Sequence, residues 1–476
     1  MKRVEKLYIN GDWVASHSAE LIEVVNPANG DIYATVPAAD EKDVDAAIQA
    51  AKAAFGHWSS QPAEVRAAVI NEIADGMQAR ASEMTDAIVA SMGCPVSIAQ
   101  EMQVQGAIDA FRSFAALASN LDACHEFDGH IEVTEAIGVC VLINPWNYPL
   151  SQLVGKLGPA LAAGCSVVVK PAEQTPIQDV ILAEIIDQSS LPPGVFNLLT
   201  GVGSDIGGAL CSHELVDMVS FTGSTLAGIK VAEAGAPTVK RVCQELGGKS
   251  PYIITEGADL NAAVRYGVED VMLNSGQTCS ALTRMLVPAS KLAEVEMVAK
   301  DVASEWQLGD PANAQTNLGP LSSHKQQARV LDYINKGISE GATLLCGGTD
   351  APSTFSKGAY VEATIFSNVS NDMVIAREEI FGPVLCIIPY DNLEQAIEIA
   401  NDTPFGLASA VYAENQTEAI KVGRKIRAGQ CYLQGAYFNT NAPFGGYKQS
   451  GNGREWGAEG LKEYTEVKAL FIEGEA

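Results

Sequence analysis

Residues 137–149 read Ile-Gly-Val-Cys-Val-Leu-Ile-Asn-Pro-Trp-Asn-Tyr-Pro. Ile137 to Ile143 is a near-continuous apolar run, which suits a parallel strand buried on both faces. Asn144-Pro145 ends the run, so Asn147 falls in the loop after a strand's C-terminal end. Ligands bind at that place in open α/β sheets. Downstream, Ser166–Lys170 reads as a strand, Ile177–Ile186 as a helix and Val195–Leu199 as a strand. Met218–Phe221 reads as a further strand that runs into Thr222-Gly223-Ser224. This alternation predicts an α/β fold with a doubly wound sheet. The pattern restarts around Gly247-Gly248, where Leu260–Asn274 reads as a helix and further strands and helices reach about Ala442. Upstream, residues 1–35 alternate short apolar runs with Asn-Gly and Asn-Pro turns, which predicts strands and hairpins. From Asp43 to about Met102 the apolar spacing is helical, as at Val44, Ala47, Ile48 and Ala51. Ile131–Thr134 reads as a strand. The tail Tyr464–Glu473 is strand-like and suited to pairing with another subunit.

The composition agrees with a folded enzyme. A chain of 476 residues exceeds one core, so two domains are expected. A net charge of −27 disfavours nucleic acid and anionic membrane as partners. None of the 10 cysteines is spaced Cys-x-x-Cys, and many lie in apolar runs, so reduced thiols in a cytoplasmic protein are expected. Lys2 and Arg3 are not followed by an apolar leader core, and no run of about 18 apolar residues occurs.

The chemistry concentrates at Ser275-Gly276-Gln277-Thr278-Cys279-Ser280-Ala281. The small, polar flanks set Cys279 apart from the cysteines in apolar strands, and a thiolate is a strong nucleophile. Glu245 lies in an apolar, Gly-rich run whose burial would raise its pKa towards that of a useful base. With the amide of Asn147, these three supply the parts needed for acyl chemistry on a carbonyl carbon. Other patterns fail. Gly201, Gly203 and Gly207 are spaced one residue too widely for the dinucleotide fingerprint. Gly223 to Lys230 imitates a phosphate loop with its lysine displaced. His125 and His130 are too far apart for a helical zinc pair, so no metal is expected. Phe221-Thr222-Gly223-Ser224-Thr225 offers a helix N-terminus fit for a pyrophosphate, although on these residues alone a plain capped helix accounts for it better. Lys170 and Glu173 follow a strand and could meet ribose hydroxyls. An acidic Glu173 there would repel a 2′-phosphate and favour NAD over NADP.

Taken in order, these motifs resemble the NAD(P)-dependent aldehyde dehydrogenase superfamily. The resemblance spans Pro145–Pro149, Val168–Glu173, Phe221–Ser224, Glu245–Lys249, Gly276–Cys279, Glu378–Pro383 and Pro443–Gly451. It implies two doubly wound α/β domains, a Rossmann-like NAD-binding domain from 1–117 and 137–247 and a catalytic domain from 248–448. Segments 118–136 and 464–476 would form an oligomerisation arm and tail, in a homodimer or homotetramer. Cys279 matches the nucleophile, Glu245 the general base, and Asn147 half of the oxyanion hole. Lys156 and Glu455 match residues on the route of water and protons to Glu245. Cofactor contacts are expected from Ile143, Asn144, Pro145, Trp146, Lys170, Glu173, Gly203, Phe221, Thr222, Gly223, Ser224, Leu246, Glu379 and Phe381. Arg454 and Glu466 match interface residues. The implied reaction is oxidation of an aldehyde to the free acid with NAD, because Glu245 is present to hydrolyse the thioester.

The substrate tunnel would be lined by Tyr148, Gly155, Thr278, Ser280, Phe438 and Phe444. Gly155 stands where many members carry a bulky aromatic, so a roomier tunnel that admits larger or aromatic aldehydes is expected. Two other readings stay open. One is a specialised semialdehyde or betaine-aldehyde dehydrogenase, which needs a pocket charge or an aromatic cage. The other is a non-enzymatic use of the fold.

Overall fold

The computed structural model describes residues 2–119, 121, 124–350 and 355–473. Part of the proposed arm (residues 120, 122 and 123) and the last three residues of the tail therefore lie outside the described residues.

The first sheet has eight strands. At its centre, Val139–Ile143 pairs in parallel with Ser166–Lys170 on one side and Met218–Thr222 on the other. Phe196–Leu198 extends the first side and Arg241–Glu245 the second, both in parallel. The chain thus winds outwards one way, returns past its starting strand, and winds the other way. The gap between Ile143 and Thr222 is the topological switch point, where an open α/β sheet leaves a crevice. The buried strand Val139–Ile143 has no polar side chain and is covered on both faces, as its apolar run requires.

The flanking elements follow from local chemistry. Asn10 and Gly11 have φ of 56° and 81°, the left-handed pair that a tight hairpin between Leu7–Ile9 and Asp12–Val14 demands. Helix Glu41–Ser59 starts at a capping box, where Asp40 accepts from the Asp43 N–H and Asp43 accepts from the Asp40 N–H. Its buried stripe, Val44, Ala47, Ile48 and Ala51, faces the sheet, and the Ser166 hydroxyl donates to the Ala51 carbonyl at 2.7 Å. Burying each large aliphatic side chain there stabilises the fold by about 1.5–3 kcal/mol. The helical stretch continues in pieces, broken at Pro62, at Arg80 and at Gly93, whose φ is 81°.

The second sheet has seven strands in the order Thr343–Cys346, Thr364–Ser367, Val384–Tyr390, Arg284–Pro288, Pro251–Ile254, Ala410–Tyr412 and Tyr432–Leu433. All its pairings are parallel except the first, which is antiparallel. After it the chain returns to the first sheet, where Gly451–Asn452 pairs with the end of Arg241–Glu245.

Thr465–Phe471 pairs antiparallel with His130–Ala136 of the same chain over seven residues, and as the edge strand of that sheet it keeps its other side open. Its hydrogen bonds on that side are satisfied within the chain, and its outer edge, with Val467, Leu470 and Phe471, is exposed. Among the described residues no helix is long and apolar enough to cross a membrane. All ten cysteines are unpaired.

Candidate active site

Helix Leu260–Met272 is capped by Asp259, which accepts from the Ala262 N–H at 3.1 Å. It ends in three successive residues with positive φ, Asn274 at 54°, Ser275 at 56° and Gly276 at 72°. Left-handed backbone at the two non-glycine residues costs about 1–3 kcal/mol each and persists only where neighbours hold it. The Ser275 hydroxyl donates to the Gly319 carbonyl at 2.9 Å, and the Asn274 amide donates to the Asn147 carbonyl at 3.0 Å. The Gln277 amide donates to the Asn274 carbonyl at 3.2 Å and accepts from the Ser322 N–H at 2.8 Å. At Gly276 any Cβ would overlap the Gly382 carbonyl. This turn delivers Cys279 to the crevice between the two sheets. Behind it, Asp270 accepts from the Leu282 N–H at 2.8 Å, and burial pushes its carboxyl up to about 7.

Asn147 is buried, and its side-chain amide donates to the Gln277 carbonyl at 2.9 Å. An amide nitrogen carries two protons, so one stays available for an oxygen beside Cys279. The Asn147 carbonyl also accepts from Gln103 at 3.4 Å. Asn147 and the turn before Cys279 therefore form one hydrogen-bonded unit across the crevice. Neither Gln103 nor Asn274 carries a motif, and sequence reasoning missed both.

Glu245 ends its strand and is buried, with no hydrogen bond to either carboxylate oxygen among the described residues. It lies against Gly445, where an added Cβ would come within 2.6 Å of Oε1. Burial first, and then the charge of Glu455, hold its carboxyl well above the usual carboxylate range, while Lys156 and Arg454 oppose the shift. Lys156 and Glu455 are a buried ion pair at 2.6 Å, and Lys156 also donates to the Thr222 hydroxyl at 2.6 Å. Arg454 donates to the Gly446 and Gly453 carbonyls, and its charge acts on Glu245. Glu466 pairs with Arg241 at 2.9 Å.

The Cys279 thiol is pushed up to about 12, by burial first and then by Glu245, Glu379 and Glu455. The nucleophile expected as a thiolate thus rests as a thiol in the free protein. Its alkylation by iodoacetamide should therefore rise about tenfold per pH unit from pH 7 to 9, because only the thiolate reacts. Glu245→Gln, which removes a neighbouring negative charge, should react faster at pH 9. A plateau near pH 8 would contradict this assignment.

The cleft beside Cys279 encloses about 310 Å³ and extends past Trp146 and Ser224 to Glu379 and Phe381. Ser224 caps helix Thr225–Gly235, accepting from the Ala227 N–H at 3.3 Å and keeping its own proton free to donate. Phe221 and Leu246 are buried near this end. Lys170 is buried and lies 3.6 Å from the half-exposed Glu173, and Gly203 packs beside the Lys170 stem. Glu379 accepts from the Gly248 N–H at 3.0 Å. Phe381, with φ of 65°, meets Trp146 edge-on at 5.3 Å. Gln326 donates to the Phe381 carbonyl at 2.8 Å and Arg329 to the Glu379 carbonyl at 2.6 Å. Both holders come from helix His324–Ser339, which carried no motif. Asn144, at the strand end, is buried with its side-chain amide unpaired among the described residues.

These donor sets fit a dinucleotide. A helix N-terminus with a free hydroxyl suits a pyrophosphate, and carboxylates at both ends suit ribose hydroxyls. On the other side of Cys279, Tyr148 hydrogen bonds with Thr278 at 2.8 Å, and Ser280 is half-buried. Phe438 and Phe444 meet edge-to-face at 5.6 Å. Gly155 does not open space as expected, because the indole of Trp456 lies directly against it.

Comparison with known proteins agrees with this geometry. The model of the aldehyde dehydrogenase family matches residues 13–470. A 3-succinoylsemialdehyde-pyridine dehydrogenase from a Pseudomonas species is 45% identical over 99% of both chains. A Pseudomonas syringae aldehyde dehydrogenase, solved as a cysteine-to-alanine variant with NAD+ and octanal, is 46% identical, with a TM-score of 0.95 over 98% of this chain and 96% of its own. A Mycobacterium tuberculosis aldehyde dehydrogenase solved with NAD+ is 40% identical, with a TM-score of 0.97 over 99% of both chains. The chain belongs to the aldehyde dehydrogenase family, as an oxidoreductase that uses NAD to oxidise aldehydes.

Proposed function

We propose that the chain oxidises unspecialised aldehydes to free carboxylic acids, with Cys279 as nucleophile and Glu245 as base. The observation that carries the reading is the buried, unpartnered carboxylate of Glu245 in the same cleft as Cys279 and Asn147. Cys279 loses its proton to solvent and Sγ bonds to the carbonyl carbon. The remaining amide proton of Asn147 and the Cys279 N–H stabilise the oxygen that becomes negative, each worth about 10²–10³ in rate. Bound NAD supplies the hydride acceptor, held by Ser224, Lys170, Glu173 and Glu379. The carbon is then a thioester of Cys279. Glu245 takes a proton from water, the hydroxide adds to the thioester, the C–S bond breaks, and the sulfur regains a proton. Lys156 and Glu455 carry the proton from Glu245 outwards.

In this reading 1–117 with 137–247 binds NAD, and 248–448 presents the nucleophile. The exposed edge of Thr465–Phe471, with its apolar Val467, Leu470 and Phe471, joins copies into a homodimer or homotetramer. The unpaired cysteines favour a cytoplasmic setting. A semialdehyde specialist is the second reading, favoured by the name of the Pseudomonas relative. It calls for a charge that meets the distal carboxylate or ring, and Thr278 and Ser280 offer none. NADH release measured across aliphatic, aromatic and semialdehyde substrates, with NAD and NADP, tests both. Turnover of several kinds of unbranched aldehyde with NAD is expected. Turnover confined to one semialdehyde would replace the first reading by the second.

A further inference from the structure

Helix Pro149–Ala163 carries Gly155 and Lys156 side by side, and both are buried. The segment that returns to the first sheet carries Glu455 and Trp456 opposite them, and both of these are buried as well. Lys156 is answered by Glu455 at 2.6 Å. Gly155 is answered by Trp456: an added Cβ would lie 2.8 Å from Cζ2 and 3.0 Å from Cε2 of the indole. The ring therefore rests on the helix backbone, at a place where even a methyl group would not fit.

Trp456 is held there on every side. It stacks on Phe114 at 6.1 Å and meets Phe438 edge-to-face at 5.8 Å. Phe438 in turn meets Phe444 edge-to-face at 5.6 Å. Glu455 and Phe444 exchange both backbone hydrogen bonds at 2.7 Å, so the neighbour of Trp456 is locked to Phe444. The backbone of Trp456 has φ of 64°, a conformation that bulky residues rarely adopt. The Gly457 N–H donates to the Thr440 carbonyl at 3.1 Å and fixes the turn. Gly445, the residue after Phe444, lies against Glu245 of the catalytic cleft, where an added Cβ would come 2.6 Å from Oε1. Phe438 is 45% exposed, so this line of aromatic rings runs from the buried indole to an accessible ring.

We infer that Trp456 is the specificity-determining residue of the aldehyde tunnel. Seated on Gly155, it props Phe438 and Phe444 into a closed aromatic wall that accepts unbranched acyl chains and rejects branching next to the carbonyl carbon. The inference deepens the proposed aldehyde oxidation and rests on it. Edge-to-face aromatic pairs are favourable contacts, so removal of the indole takes away the support of Phe438. The space then opened borders Gly155, which supplies no side chain to refill it.

The test compares hexanal with cyclohexanecarbaldehyde as substrates of the full-length enzyme. In Trp456→Ala, kcat/KM for the branched aldehyde relative to the linear one should rise about tenfold or more, the scale of a pocket change of a few methylene groups. Most of that change should lie in KM for the branched substrate. The double variant Trp456→Ala with Gly155→Trp, which refills the space from the helix, should bring the ratio back towards wild type. Trp456→Phe, a smaller cut that keeps a ring, should shift the ratio in the same direction by less, and it decides the matter if the alanine variant does not fold. An unchanged ratio, or an equal loss of kcat for both aldehydes, would overturn the inference and leave Trp456 a packing residue. A wild-type enzyme that oxidises neither aldehyde would instead overturn the proposed function.

Discussion

A Cys279→Ala enzyme is expected to lose aldehyde-dependent NADH formation by a factor of about 10⁵ or more, the scale seen when a covalent nucleophile is removed. It should still bind NAD with unchanged affinity. The first expectation follows because Cys279 is the one sulfur that the turn at Asn274, Ser275 and Gly276 delivers to the cleft beside Asn147 and Glu245. The second follows because the groups suited to the dinucleotide, Ser224, Lys170, Glu173 and Glu379, sit on elements that the substitution leaves untouched. Calorimetric titration with NAD and a stopped-flow NADH trace would check both. Residual turnover within about a hundredfold of wild type would mean that another group attacks the carbonyl, because loss of a true nucleophile costs far more.

Glu245→Gln is expected to separate the two halves of the reaction. The first turnover should still release a burst of NADH, because the thiol and Asn147 remain. Steady-state turnover should then fall by about 10²–10⁴, the usual contribution of a positioned general base. The acyl group should accumulate on Cys279, where intact-protein mass spectrometry would find it. The pH dependence has a definite sign. Burial and Glu455 hold the Glu245 carboxyl well above the usual range. The working form is the carboxylate, so wild-type steady-state turnover should fall as the pH drops through that raised value. The glutamine variant should lack this limb. Equal losses of burst and steady state would contradict the role given to Glu245.

Much of the scaffold was legible along the chain. The apolar run Val139–Ile143, the Asn10-Gly11 hairpin and the helical stripe Val44, Ala47, Ile48 and Ala51 each form from residues close in sequence. The ordered motifs also identified the candidate residues of the cleft. The pieces that could not be read there are contacts between distant segments. Gln326 and Arg329 hold the backbone of Glu379 and Phe381 from a helix with no motif. Arg454 turns inwards to Glu245, because the returning segment pairs with the edge of the first sheet. The tail bonds to its own chain, because His130–Ala136 offers it an open edge nearby.

Sequence by itself determined the doubly wound α/β architecture and singled out Cys279, Glu245 and Asn147 as candidates, because strand period, turn residues and motif order are local properties. Tertiary structure alone decided the state and surroundings of those groups. Burial among carboxylates keeps Cys279 a thiol at rest, and burial without hydrogen-bond partners among the described residues raises the Glu245 carboxyl. The same holds for Gly155: its missing side chain predicted an open tunnel, but Trp456 packs against it from a segment far along the chain. Both desolvation and packing are set by what surrounds a residue in space, and neither is written in its neighbours along the chain.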